Sequence, residues 1–173
     1  MSDAFWIFGY GSLMWRPGFE AAERQAATLW GWHRSMCILS THYRGTPEQP
    51  GLVLGLDQGG CCRGIAFRAM PGQAEAVRDY LHERELVSDV YIPRFAPIRL
   101  DDGRRVPAYI FTAKRSHSQY AGHLPPERQR ELIRQGQGHG GSSRDYLAAT
   151  VENLKALGLS GGAMHRLLAL VDG

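Results

Sequence analysis

Phe5-Trp6-Ile7-Phe8-Gly9-Tyr10-Gly11-Ser12-Leu13-Met14 joins an unbroken apolar, aromatic run to a pair of glycines. The run Phe5 to Phe8 reads as a buried strand, and it stops at Gly9 and Gly11, with Tyr10 between them and Ser12 after them. Glycine has no Cβ, so the backbone at such positions is free to take positive φ and its N–H groups can approach a ligand closely. Two readings follow. The turn either simply ends a strand, or it cradles an anion with its backbone N–H groups.

Working outward, Trp15 to Phe19 reads as a loop, and Thr28 to His33 and Ser35 to Leu39 read as two short strands. Ser40 to Gly51 holds two prolines and two glycines and therefore reads as a long loop, a kind of segment that often carries function. Arg44 in that loop offers a planar donor fork suited to a ligand carboxylate, although an arginine paired to a nearby acid or simply solvated fits equally well. Leu52 to Leu56 and Arg63 to Arg68 flank Asp57-Gln58-Gly59-Gly60 and read as a hairpin. Tyr91 to Leu100 and Arg105 to Thr112 flank Asp101-Asp102-Gly103-Arg104, and the Asp-Gly pair signals a second hairpin. Pro93, Pro97 and Pro107 mark edges or bulges in its strands. These short strands joined by hairpins point to an α+β fold, a largely antiparallel curved sheet or small barrel, with the helices outside it.

Between the two hairpins the period changes. From Pro71 to about Leu86 the apolar positions Ala74, Val77 and Leu81 recur at helical spacing, with Pro71 suited to the first turn. At about 100° per residue Glu85 falls on the apolar stripe one turn beyond Leu81, whereas Glu83 faces solvent. A carboxylate on a buried stripe near the negative end of a helix loses solvation and holds its proton more tightly, as a general base near neutral pH requires. The alternative is a helix that has already ended by Glu85, leaving an exposed acid.

The last third reads as helices over Pro126 to Gln135, Ser143 to Leu157 and Ser160 to Val171. Gly136-Gln137-Gly138-His139-Gly140-Gly141 formally matches Gly-x-Gly-x-x-Gly, but it follows a helix and no βαβ unit surrounds it, so a dinucleotide site is rejected. These glycines are expected to end one helix and start the next, with Ser142 or Ser143 as N-cap. The seven histidines show no metal-binding helix pairing, and Gly9-x-Gly11-Ser12 is not a nucleophile elbow.

With 173 residues, 43% of them hydrophobic, the chain suits one domain, residues 1–173. The 20 Lys and Arg against 17 Asp and Glu are dispersed, which argues against nucleic acid as a partner. Cys37, Cys61 and Cys62 fit neither a disulfide framework nor zinc spacing and suggest thiols in a reducing compartment. Asp3 replaces the positive region of a signal peptide, and no stretch approaches the ~18 apolar residues of a membrane span. A cytoplasmic protein with no membrane partner is expected; its oligomeric state is not legible.

Taken together, Phe8-Gly9-Tyr10-Gly11-Ser12-Leu13 after a strand, Arg44-Gly45-Thr46-Pro47 with Pro50-Gly51 in a loop, Tyr80-Leu81-x-x-Arg84-Glu85 closing a helix, and the Gly-rich stretch before Asp145-Tyr146-Leu147 resemble the ChaC-like γ-glutamylcyclotransferases over about residues 5 to 157. The resemblance implies a small, mostly antiparallel β-barrel with peripheral helices, and cleavage of glutathione to 5-oxoproline and Cys-Gly with no cofactor. It carries the substrate-binding turn onto Gly9, Tyr10, Gly11, Ser12, Leu13 and Met14, and the acid/base glutamate onto Glu85. Arg44 is then a candidate for the glycine carboxylate, and Tyr109 and Tyr120 for pocket hydroxyls, although both tyrosines also read as ordinary sheet or loop aromatics. Two departures stand out: His42-Tyr43 where some members have Asp-His, and Leu86-Val87-Ser88-Asp89 where some have Gly-Gly. Action on other γ-glutamyl amines, and non-catalytic binding of a γ-glutamyl metabolite, are the alternatives.

Overall fold

The computed structural model describes residues 4–173; the reading placed on Asp3 lies outside the described residues. Five strands form a closed barrel in the order β1-β3-β2-β4-β5: β1 (Trp6–Gly9), β2 (Ala21–Ser40), β3 (Gly51–Ala69), β4 (Tyr91–Leu100) and β5 (Arg105–Ala113). The pairs β1–β3, β2–β4 and β4–β5 are antiparallel, whereas β1 and β5 run parallel with Trp6 opposite Ala108 and Ile7 opposite Tyr109. Four α-helices accompany the barrel: α1 (Ala74–Glu85), α2 (Pro126–Gln135), α3 (Ser143–Ala156) and α4 (Ala163–Asp172). None is long and apolar enough to cross a membrane.

The described chain falls into two compact units. The first combines the segment up to Arg34 with Leu56–Lys114. Its core joins Phe5 and Ile7 of the first strand region to Leu13, Ala69, Tyr109 and Phe111, and closes over them with Val77 and Leu81 from the apolar stripe of α1. The β4–β5 hairpin stands as expected, with Arg99 opposite Arg105 and Gly103 at φ +94° in its turn. Pro93 and Pro97 lie in the part of β4 beyond its pairing with β2, which covers Ile98 to Leu100, so neither interrupts that pairing, while both stand within the pairing with β5.

Three sequence expectations are corrected. Gly59 and Gly60 do not turn the chain: β3 runs through them as one strand of 19 residues, with φ of +99° and +71°. The predicted strands Thr28–His33 and Ser35–Leu39 are likewise one strand of 20 residues that passes through Gly31 at φ +85°. Left-handed glycines inside long strands are the local devices by which a sheet curves into a barrel, and His33 Nδ1 meets the Gly59 carbonyl at 3.0 Å where the two strands run side by side. Pro71 belongs to a turn with Gly72 at φ +78°, and α1 starts only at Ala74.

The second unit comprises Ser35–Gly55 and Arg115–Gly173. Here α3 buries the predicted stripe Leu147, Thr150, Val151 and Leu154. Ser142 caps α3 by accepting the Asp145 N–H at 3.0 Å. α4 begins at Ala163 rather than Ser160, because Gly161 at φ +73° breaks the helix and Gly162 takes the N-cap position. The Gly-rich stretch forms a two-stranded hairpin, β6 (Gln137–Gly138) with β7 (Gly141–Ser142).

The barrel makes one glycine indispensable. A Cβ at Gly64 would stand 2.3 Å from the Gly9 carbonyl and 2.8 Å from the Phe8 ring, where β3 passes β1. Gly64→Ala is expected to lower stability by about 1–3 kcal/mol, read from the urea midpoint; an unchanged midpoint would show that β1 and β3 are not in close register here.

Candidate active site

The turn after β1 is built on close approach. A Cβ at Gly9 would meet Leu13 Cβ at 3.1 Å and Met14 N at 3.3 Å, so the chain folds back tightly on that residue. Neither Gly9 nor Gly11 has positive φ, Gly11 standing at −132°, so the reading that these glycines supply left-handed backbone is corrected; at Gly9 the reason is space. Ser12–Met14 form a single 3-10 turn, with Met14 N–H donating to Gly11 O at 2.9 Å and Arg16 N–H to Ser12 O at 2.8 Å. Tyr10, Leu13 and Met14 are buried. Arg34 fixes the turn from β2, its Nε donating to Tyr10 O at 2.7 Å and its Nη2 to Arg63 O at 2.7 Å.

Glu85 is the last residue of α1, and the Leu86 N–H caps the helix by donating to His82 O at 3.0 Å. The helix therefore does reach Glu85, and the alternative of an exposed acid beyond its end fails: the Glu85 side chain is 17% exposed, while Glu83 is exposed. Burial pushes the Glu85 carboxyl up from the ordinary glutamate value, and the Arg84 charge opposes that shift without cancelling it.

Arg84 connects this helix end to the turn. Its Nε lies 3.3 Å from Glu85 Oε1, and its Nη2 donates to Ser12 Oγ at 3.0 Å. Nη1 donates to Tyr80 Oη at 3.1 Å, to Pro17 O at 3.2 Å and to Arg16 O. Tyr109 stands on β5 opposite Ile7, with its hydroxyl 2.5 Å from His82 Nε2 and its ring against Phe5, Phe95 and Phe111. Burial pushes the Tyr109 hydroxyl up as well. The first unit thus assembles Gly9 to Met14, Glu85 and Tyr109, and adds Arg84 and His82, whose roles sequence reasoning missed. The available signal was their place on α1, at one residue and three residues before Glu85.

Arg44 and Tyr120 belong to the second unit. Arg44 Nη1 donates to Ser142 O at 3.2 Å, its backbone N–H donates to Ser40 Oγ at 2.9 Å, and its guanidinium lies 5.6 Å from the Tyr146 ring centroid. The Gly-rich hairpin packs onto this loop: His139 N–H donates to His42 O at 3.0 Å and Gly140 N–H to Tyr43 O at 2.8 Å, and a Cβ at Gly138 would stand 2.4 Å from His42 O. Its glycines serve that contact. Tyr120 pairs with Ile38 in an isolated bridge, with Arg115 over its ring. Among the described residues no group of three or more His, Cys, Asp and Glu is arranged to hold a metal ion.

This fold is that of known proteins. Residues 5–173 match the family model described as ChaC-like protein, and the chain belongs to that family. It is 37% identical over 166 residues to the glutathione-specific gamma-glutamylcyclotransferase of Escherichia coli strain K12, covering 96% of this chain and 72% of that one. To the human glutathione-specific gamma-glutamylcyclotransferase 1 it is 31% identical over 179 residues, covering 98% and 78%. The crystal structure of a yeast gamma-glutamyl cyclotransferase specific to glutathione superposes with a TM-score of 0.84 at 21% identity, covering 98% of each chain, and shows the same fold.

Glu85 makes stability depend on pH in a defined direction. The folded protein holds its proton more tightly than the unfolded chain, so the residue is harmless below the ordinary glutamate pKa of about 4.3 and destabilises progressively as pH rises through the higher folded-state value. Glu85→Gln is therefore expected to raise Tm at pH 7 to 8, by about 2–4 °C for each kcal/mol relieved, with the gain vanishing near pH 4. A Tm that falls at neutral pH would show that the ion pair with Arg84 outweighs the lost solvation.

Proposed function

We propose that the chain is a glutathione-directed γ-glutamylcyclotransferase, releasing 5-oxoproline and Cys-Gly. Near-full-length similarity to relatives of that name supports the substrate. The observation that carries the mechanism is Glu85: a carboxylate buried at the end of α1, raised in proton affinity by that burial, and linked through Arg84 to Ser12 of the turn.

In a γ-glutamyl amide the α-amine can reach the γ-carbonyl, so the substrate supplies its own nucleophile and the protein needs neither a serine nor a cofactor. Its task is to fold the γ-glutamyl unit into attacking shape, a contribution of ~7–11 kcal/mol for well-oriented intramolecular reactions. Backbone N–H groups of Gly9 to Leu13 hold that unit and donate to the oxygen as it gains charge. Glu85 takes a proton from the α-ammonium, and the freed amine attacks the γ-carbon, forming the ring C–N bond. The tetrahedral intermediate collapses, the original amide C–N bond breaks, and Glu85 returns protons to the departing cysteine nitrogen. Over the cycle the α-nitrogen goes from three hydrogens to one and the cysteine nitrogen from one to three; Glu85 ends as it began. The free thiols of Cys37, Cys61 and Cys62 suit a reducing compartment such as the cytoplasm, where glutathione is abundant. Arg44 and Tyr120 carry no part of this proposal.

The test is product analysis with the purified chain, glutathione and, separately, a panel of γ-glutamyl amino acids. The expected result is 5-oxoproline and Cys-Gly from glutathione, reduced at least ~100-fold in Glu85→Gln. Turnover confined to the other amides would reassign the substrate, and near-wild-type turnover by the variant would remove Glu85 as the base. No 5-oxoproline from any amide, with glutathione still bound, would make the chain a binder.

A further inference from the structure

Arg84 turns all three of its guanidinium nitrogens into the molecule. An arginine carries five N–H donors in a rigid fork, and here Nε stands beside Glu85 Oε1, Nη2 donates to Ser12 Oγ, and Nη1 is shared among Tyr80 Oη and the carbonyls of Arg16 and Pro17, from a side chain only 17% exposed. One acceptor lies on its own helix a turn back, one is the neighbouring carboxylate, and three lie in the segment 12–17, about seventy positions away in the chain. Tyr80 is half-buried and held close on one side. Gly18, at φ +78°, lies so close that a Cβ there would stand 1.9 Å from Tyr80 Oη, so the hydroxyl is trapped between the loop and the guanidinium. Immobilising an arginine costs about 2 kcal/mol of rotamer entropy, and a helix end needs no such clamp merely to terminate, since Leu86 already caps it.

We infer that Arg84 is a positioning residue for the reaction: its guanidinium locks the γ-glutamyl-binding turn, through Ser12, and the base Glu85 into one rigid register. The inference rests on the reading of Glu85 as the base. Two consequences follow from the geometry. A misplacement of about 1 Å between reacting groups can cost ~100-fold in rate, and the fork fixes both partners with one planar group, which a lysine ammonium, a point charge on a flexible stem, cannot reproduce. The cation also stands beside the carboxyl in its protonated, mid-cycle form, where it favours release of the proton to the departing amine.

Removing the charge and removing the fork separate these roles. The titratable groups around this helix end are Tyr80, His82 and Arg84 of α1, with Tyr109 from β5, and Arg84 is the ion-pair partner of Glu85 among the described residues. The experiment measures pH profiles of kcat and kcat/KM for glutathione with the wild type, Arg84→Met, Arg84→Lys and Glu85→Gln, each with a parallel measurement of the folded fraction. Arg84→Met is expected to lose ~100-fold in kcat, with KM changed much less, and to shift the acid limb of kcat/KM to higher pH because the opposing charge is gone. Arg84→Lys is expected to keep the acid limb near its wild-type position yet lose ~10-fold or more in kcat, because it lacks the fork. Wild-type kcat in Arg84→Lys would overturn the inference. So would an Arg84→Met variant whose loss only tracks its folded fraction, with the acid limb unmoved. Should Arg84→Met not fold, Arg84→Lys decides alone. An active Glu85→Gln would defeat the reading of the base and leave Arg84 a structural clamp, an outcome distinct from either.

Discussion

The first unit depends on β1 being paired on both sides. Its four residues, Trp6 to Gly9, are all buried, and the strand runs antiparallel to β3 and parallel to β5, closing the barrel. Closure removes the free edges that an open sheet of this kind would expose. It also fixes where the chain leaves the strand: Gly9 is held opposite Ile65, next to Gly64, and the fold-back of Leu13 and Met14 onto Gly9 is then the one compact way out. In the proposed function, the turn at the end of this doubly paired strand inherits the rigidity of the strand, which is what a reaction dependent on substrate shape requires.

Glu85 and Arg84 set burial against charge. Taking a carboxylate out of water at the end of a helix raises its proton affinity, and the adjacent guanidinium restrains that rise. A buried ion pair is a weak contributor to stability; its value here lies in poise. For the proposed base, burial alone would leave the carboxyl reluctant to ionise, and an exposed pair would leave it without the raised proton affinity that burial supplies. The second acceptor set of Arg84, on the segment 12–17, turns a local electrostatic balance into a geometric link between helix and turn.

Much of this was legible in the sequence where the signal is local. The apolar run before Gly9, the Asp102-Gly103 hairpin, the Ser142 cap and the helical phase that put Glu85 on the stripe of Leu81 are all decided by neighbours a few residues apart. The misreadings share one cause. Gly59-Gly60 and Gly31 have the composition of turns, and only the presence of a long partner strand alongside shows them to be curvature inside β3 and β2. At Gly9 the sequence points to backbone freedom or close approach to a ligand, whereas its crowding by Leu13 is a three-dimensional fact. Arg84 and His82 were passed over because what they hold, Ser12 and Tyr109, lies 72 and 27 positions away. The Gly-rich hairpin is explained by the backbone of residues 42–44 packed against it, a partner no local pattern could name.

The proposed reaction rests on Glu85 being a desolvated carboxyl that holds its proton more tightly than an ordinary glutamate. Its most direct test is a titration of the Glu85 side-chain carboxyl by carbon-13 NMR in the free protein, assigned by comparison with Glu85→Gln. The account predicts a midpoint clearly above the ordinary glutamate value of about 4.3. A midpoint at or below that value would mean that the ion pair with Arg84 dominates, and that Glu85 is an anchor in the structure rather than its base.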